Sequence, residues 1–291
     1  RQVNLSYKPD YDLLMQSGLY QKLVNTGLLI PHQEVDQPGA LPELAYKVLE
    51  PEQLAFISYP YEWSFSQLQD AALATLRIQR LALEAGMSLK DSSAYNIQFH
   101  NGRPTLIDTL SFEIYREGQP WDAYRQFCQH FLAPLSLMAY RDVRLGQLLR
   151  VFIDGIPLDL SSQLLPRRTR MVFPLQLHIH LHARSQKQHS SQTHIDTSGR
   201  KFGRAAMLGL IDSLESGIRK LIWLPAGTDW ADYYDDTNYT ADSLAHKQQL
   251  VGQFLEQSQP RMVWELGANT AVFSRIASLR QIPTLAFDID P

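Results

Sequence analysis

Val263-Trp264-Glu265-Leu266-Gly267-Ala268-Asn269-Thr270-Ala271-Val272-Phe273-Ser274-Arg275-Ile276-Ala277 reads as an apolar strand, a tight turn of small residues and the opening of a helix. A second apolar run, Ile282-Pro283-Thr284-Leu285-Ala286-Phe287, follows closely and stops at Asp288. Strand, short helix and strand in this order predict a parallel pair with the helix crossing between them. In such units ligands meet the backbone at the carboxyl ends of the strands. The turn residues Gly267, Ala268 and Asn269 are small enough to let a nucleoside approach that edge. Asp288 lies 23 positions after Glu265, close to the spacing of about twenty at which a strand-two carboxylate receives ribose hydroxyls. An ionised carboxylate is an acceptor only, so two hydroxyl donors suit it.

Working outward, Asp242 to Gln257 carries helical spacing, with Leu244, Leu250, Val251, Phe254 and Leu255 expected to face inward. Before it lies an acidic and aromatic loop, Gly227 to Tyr239, and before that a helical stretch from Arg204 to Leu221. Residues 186–202 turn polar and read as a linker. The division expected is therefore an N-terminal α+β domain over 1–185, a linker over 186–202, and an α/β domain over 203–291.

The 263–288 signature resembles that of the class I S-adenosylmethionine (AdoMet) methyltransferases. Their first motif runs acid, any residue, Gly, any residue, Gly or Asn, any residue, Gly, and a strand-two acid follows. Glu265, Gly267, Asn269 and Asp288 match, and Asp288-Ile289-Asp290-Pro291 is a familiar ending of the second strand. The resemblance implies a Rossmann-type domain and AdoMet as cofactor. It implies that backbone at Gly267 and Ala268 approaches the methionine part, that Glu265 lies near its amino group, and that Asp288 takes the ribose. Tyr239 and its neighbours in the upstream loop stand where such enzymes place the element that covers the cofactor. Trp230, Tyr233, Tyr234 and Tyr239 suit stacking on adenine and suit equally a packed wall. Within the class the chain is similar to a bacterial group related to the nodulation methyltransferases. Ala271 departs from the motif, standing where its last glycine belongs: its methyl group falls where helix and strand pack closely, and it keeps open the alternative of a non-catalytic scaffold or binding protein with a vestigial cofactor site. The rival reading, a dinucleotide site, places a phosphate against the carboxylate of Glu265, which disfavours it. The partner implied is an unidentified methyl acceptor. Catalytic residues of this class follow strand four, beyond Pro291.

The N-terminal half carries a second constellation. Asp91, four residues, Asn96, a hairpin signalled by Asn101-Gly102, and Asp108 form a set in which one carboxylate can orient a hydroxyl while an Asn and another carboxylate hold Mg²⁺. The arrangement is similar to the catalytic loop and metal acid of the protein kinases and aminoglycoside phosphotransferases. The departures are Leu89, where those families carry His, and the lack of a Gly-rich phosphate loop. The plain alternative is that Asp91 caps a turn, Asn96 satisfies backbone and Asp108 ends a strand. A kinase-like scaffold without phosphotransfer is the reading that fits these departures.

Elsewhere, residues 11–30 predict helix broken at Gly18 and Gly27, Ala55 to Tyr59 a short strand, Ser66 to Ala85 a long amphipathic helix, and Trp121 to Leu149 helix with a stripe of Phe127, Phe131, Leu135, Met138 and Leu145. Pro166 to His182 is expected as a helix, on which His178 and His182 share a face at i, i+4 spacing and His180 does not (in a strand all three would), with His189 and His194 downstream; no nearby Cys or Glu completes a metal set, so a solvated helical face and no metal are expected. Lys and Arg number 27 against 30 Asp and Glu, a net charge of −3, which disfavours broad attraction to nucleic acid. With Cys128 alone no disulfide forms within the chain, and a reducing, cytoplasmic setting is expected. No apolar run suggests membrane insertion. Arg1 within a strand and Pro291 on a strand's exit turn suggest a longer parent chain.

Overall fold

The computed structural model describes residues 1–183, 203–225, 227–228, 230, 233 and 240–290. Those residues form a mixed α/β structure with four small sheets, and the chain divides into two units, Arg1–Trp223 and Leu224–Pro291. The expected linker 186–202 and Tyr234 and Tyr239 lie outside the described residues. No described helix is long and apolar enough to cross a membrane.

In the first unit, β1 (Gln2–Asn4), β2 (His32–Val35) and β3 (Ala45–Pro51) form an antiparallel sheet of order β1-β3-β2. The expected N-terminal helix is split into α1 (Lys8–Gln16) and α2 (Leu19–Asn25) by Gly18, whose φ of 77° only glycine adopts freely. The long helix α3 (Phe65–Glu84) starts at a capping box in which the Ser64 side chain accepts from the Gln67 amide. One face of α3, with Leu68, Ala72, Leu76 and Leu83, is buried in the main core beside Phe112, Phe127 and Phe131.

After α3 come β4 (Met87–Leu89), the hairpin β5 (Ile97–His100) with β6 (Arg103–Leu106), and β7 (Phe112–Ile114). Strand β7 returns to pair antiparallel with β4, Leu89 opposite Phe112, so the hairpin is inserted between two partner strands. The hairpin turn is the expected one, with Asn101 and Gly102 both at positive φ. Residues 55–59 do not form the expected strand; Ser58 instead pairs its backbone with the amide of Gln98.

The Trp121–Leu149 stretch is helical in segments: α4 (Tyr124–Phe127), a π-helical turn (Cys128–Leu132), α5 (Ala133–Tyr140) and a 3-10 helix (Val143–Arg150). Following α6 (Leu158–Leu164), the single helix expected from Pro166 is replaced by a 3-10 turn (Arg167–Met171), α7 (Phe173–Leu175) and a second π-helical turn (Gln176–Leu181). Pro174 has no amide hydrogen, which prevents a helix from running unbroken through it from the arginines.

Helix α8 (Arg204–Arg219) sits on the first unit's side of the division, although the sequence assigns it to the second. Met207, Ile211, Leu214 and Ile218 recur at helical spacing and are buried in the first unit's core. Each contributes about 1.5–3 kcal/mol by leaving water. Gln69 of α3 also donates to the carbonyls of Ile218 and Leu221, at the helix's C-terminal end, at 2.9 and 3.0 Å. The boundary therefore falls after Trp223 and not near residue 203.

The second unit contains α9 (Ala241–Ser258), β8 (Val263–Leu266), α10 (Val272–Ser278) and β9 (Thr284–Phe287). Strands β8 and β9 are parallel, from Val263 opposite Thr284 to Leu266 opposite Phe287. Helix α9 does not bury the face the sequence predicts: Phe254 is 62% exposed, and Gly252 is its one buried residue. It packs through small surface there, since a Cβ on Gly252 meets the Arg280 guanidinium at 2.9 Å. Trp264 and Leu266, on one face of β8, are also exposed.

Candidate functional site

The turn between β8 and α10 takes left-handed backbone at every second residue: Gly267 (φ 74°), Asn269 (φ 45°) and Ala271 (φ 59°). This winding turns successive amides toward β9. Gly267 and Ala268 both donate to the Phe287 carbonyl, at 2.8 and 2.9 Å. The Asn269 amide donates to Asp288 Oδ2 at 2.5 Å, and the Asp290 amide to Asp288 Oδ1 at 2.8 Å. The Asn269 side chain accepts from Thr270 N and donates to the Trp230 carbonyl at 2.6 Å, tying the turn to the upstream loop.

Glu265 lies at the same end of β8. One of its oxygens, Oε2, accepts from the Ser274 amide at 2.7 Å and from the Ser274 hydroxyl. The carboxylate thus caps the first turn of α10, where negative charge is favoured. This is a structural task beyond the one implied by the resemblance.

The structure therefore gathers Glu265, Gly267, Ala268, Asn269 and Asp288 at one strand edge, while Tyr239 lies outside the described residues. Asp288 is exposed. A carboxylate offers about four acceptor positions, and backbone amides occupy two, so two remain for a pair of hydroxyls.

Ala271 shows what the missing glycine would do. The sequence suggests a methyl group crowding a close packing, whereas the geometry places the penalty in the backbone, because a φ of 59° is disfavoured for any residue with a Cβ. Ala271→Gly is expected to stabilise the turn by about 0.5–1 kcal/mol, the left-handed penalty less glycine's added chain entropy. Slower amide hydrogen exchange over residues 263–278 would register the gain; faster exchange would contradict it.

In the first unit, Asp91, Asn96 and Asp108 each serve local backbone or side chains. Asp91 accepts from Ser93 N at 2.9 Å, and Asn96 reaches Ser111 Oγ at 3.5 Å. Asp108 accepts from Leu110 N at 3.0 Å and Ser111 Oγ at 2.9 Å, and pairs with the Arg1 guanidinium. Among the described residues, no group of three or more His, Cys, Asp or Glu is placed to hold a metal ion.

The histidines correct the solvated-face expectation. His178 and His180 are buried, and each ring is held at both nitrogens. His178 lies between Tyr124 Oη (2.8 Å) and Ser213 Oγ (2.9 Å), and His180 between Ser162 Oγ (2.8 Å) and Thr169 Oγ1 (2.9 Å). The π-helical turn packs both of them inward, which spacing on a regular helix does not predict. Burial, with a smaller contribution from His182, pushes the His178 pKa down to about 4. His189 and His194 lie outside the described residues. Cys128 is buried, and its thiol is pushed up to about 12 by that burial, so it is held as a neutral thiol and not as a nucleophile.

No protein-family model matches the chain, and no solved structure matches it. Nodulation protein NoeA of Rhizobium meliloti (strain 1021) is 37% identical over 252 residues, which is 84% of this chain and 52% of that protein. The chain spans about half the length of the curated relative it matches. A match over 84% of the chain is longer than the unit Arg1–Trp223, so the likeness extends into the second unit as well.

Proposed function

We propose that the second unit is the opening of a Rossmann-type domain that binds AdoMet, and that the protein transfers the cofactor's methyl group to an acceptor. The observation that carries this reading is the parallel β8-turn-α10-β9 unit with Glu265 and Asp288 at the same edge and the backbone of 267–269 wound between them. The residues fit the cofactor: Asp288 keeps two acceptor positions for ribose hydroxyls, and Gly267 presents backbone unshielded by a side chain. AdoMet supplies an electrophilic sulfonium methyl, so the protein's task is to hold the acceptor in line and to exclude water. In this chain Asp288 would fix the ribose, and Glu265 would hold the turn at the start of α10. By its likeness to a nodulation protein, the chain is assigned to a nodulation-related setting, with the methyl acceptor unidentified.

Calorimetric titration of the protein with AdoMet tests the reading. One saturable site, with NAD giving no heat under the same conditions, is the expected result. Binding of NAD in preference to AdoMet would replace it with the dinucleotide reading.

A second reading concerns the first unit and is carried by strand order. A long helix, a strand, an acid-containing loop, a hairpin, a second acid and a strand returning to the first support a kinase-like core. The engagement of Asp108 by Arg1, Leu110 and Ser111 supports a scaffold without phosphotransfer. Mg²⁺-ATP is expected to give no heat; binding abolished by Asp108→Ala would overturn the scaffold assignment.

A further inference from the structure

The first unit holds a cavity of about 650 Å³ that the methyl-transfer reading does not use. Its walls are Pro120, Trp121 and Tyr124 on one side, with Leu177, His178, Leu181, His182 and Leu210 completing it. The volume falls within the roughly 300–1,000 Å³ typical of small-molecule sites. The second π-helical turn builds one wall, and such turns concentrate at functional positions because they displace side chains from regular register.

The hydrogen-bonding capacity of the lining is nearly spent. Trp121 Nε1 donates to the Leu89 carbonyl at 2.7 Å, Tyr124 Oη is bonded to His178 Nδ1, and His178 Nε2 to Ser213. Among the described residues that leaves the imidazole of His182, which packs on the Tyr124 ring with centroids 5.2 Å apart. Among the described residues, none of the lining side chains is an acid, a lysine or an arginine. An apolar, uncharged ligand therefore matches this lining better than a charged one, whose desolvation no lining side chain offsets. Burial and the neighbouring Arg125 lower the pKa of His182, which keeps its ring neutral and able to donate or accept. Leu177 and Leu181 are 37% and 43% exposed, so a ligand lying between them and the rings of Trp121 and Tyr124 gains by covering apolar surface.

We propose that this cavity binds a small, flat, uncharged aromatic molecule carrying one polar group, which hydrogen-bonds to His182. Trp121 and Tyr124 stack on or edge the ligand, the leucines cover it, and His182 fixes its orientation. The site is independent of the AdoMet edge and stands whether or not methyl transfer is the reaction.

N-Phenyl-1-naphthylamine, an uncharged aromatic amine that brightens in apolar surroundings, is the probe. Titration into the full protein is expected to give saturable, one-to-one enhancement. Leu181→Asp should weaken binding at least tenfold, by placing a charge in the wall. His182→Ala should weaken it by about twofold to tenfold, the worth of one neutral hydrogen bond. Phe173→Ser, at an apolar side chain 70% exposed outside the cavity, should leave binding unchanged. Circular dichroism establishes that each variant is folded. Enhancement that never saturates, that survives Leu181→Asp in a folded protein, or that falls as much in Phe173→Ser as in Leu181→Asp would overturn the proposal.

Discussion

Asp288→Ala is expected to weaken AdoMet binding by roughly tenfold to several hundredfold. Hydrogen bonds from two ribose hydroxyls to a carboxylate contribute about 1.5–3 kcal/mol each, and water replaces part of what is lost, at 1.4 kcal/mol per decade of affinity. The geometry adds a second reason for a large effect. The same carboxylate accepts the Asn269 amide at 2.5 Å, so its removal also releases the turn. Asp288→Asn should lose less, because one carbonyl oxygen still accepts. Asp91→Ala, whose carboxylate accepts from Ser93 N in the other unit, should leave AdoMet affinity nearly unchanged. Calorimetry on the three variants reads these differences. Equal affinity in wild type and folded Asp288→Ala would remove Asp288 from the site.

Acidification should destabilise the first unit well above the carboxylate range. Burial holds both His130 and His178 at about 4, against about 6.5 for a free histidine. Between these values the unfolded chain binds protons that the folded chain refuses. Stability is therefore full above about pH 6.5 and falls as pH drops through that window toward about 4. At pH 4.5 each histidine accounts for roughly 2–3 kcal/mol of lost stability. Together they should lower Tm by about 10–20 °C relative to pH 7, at roughly 2–4 °C per kcal/mol for a unit of this size. Melting curves at half-unit steps test this. A Tm that is flat from pH 6.5 to 4.5 would mean that the two rings are solvated.

The second unit's β8-α10-β9 order was legible because short apolar runs, a glycine turn and a terminal acid are local signals. They place Val263–Leu266 and Thr284–Phe287 in parallel as expected. The Asn101-Gly102 hairpin was legible for the same reason, since the turn geometry is written in two residues. What the sequence hid depends on tertiary packing. Helix α8 carries an ordinary amphipathic pattern, and nothing in that pattern says which core Ile211 and Leu214 enter. His178 and His180 carry a polar signature, yet a π-helical turn directs both inward to hydroxyl partners contributed by Tyr124, Ser213, Ser162 and Thr169. The strain at Ala271 was visible as a motif departure, but its cause, a positive φ, is a property of the backbone and not of side-chain size.

Hydrogen–deuterium exchange of the full protein with and without AdoMet tests the central claim most directly, because it reports where the cofactor sits. The account predicts that AdoMet slows exchange at the 267–271 turn and at 288–290, and leaves the 91–114 region of the first unit unchanged. Protection centred on the first unit, or none at saturating AdoMet, would contradict it.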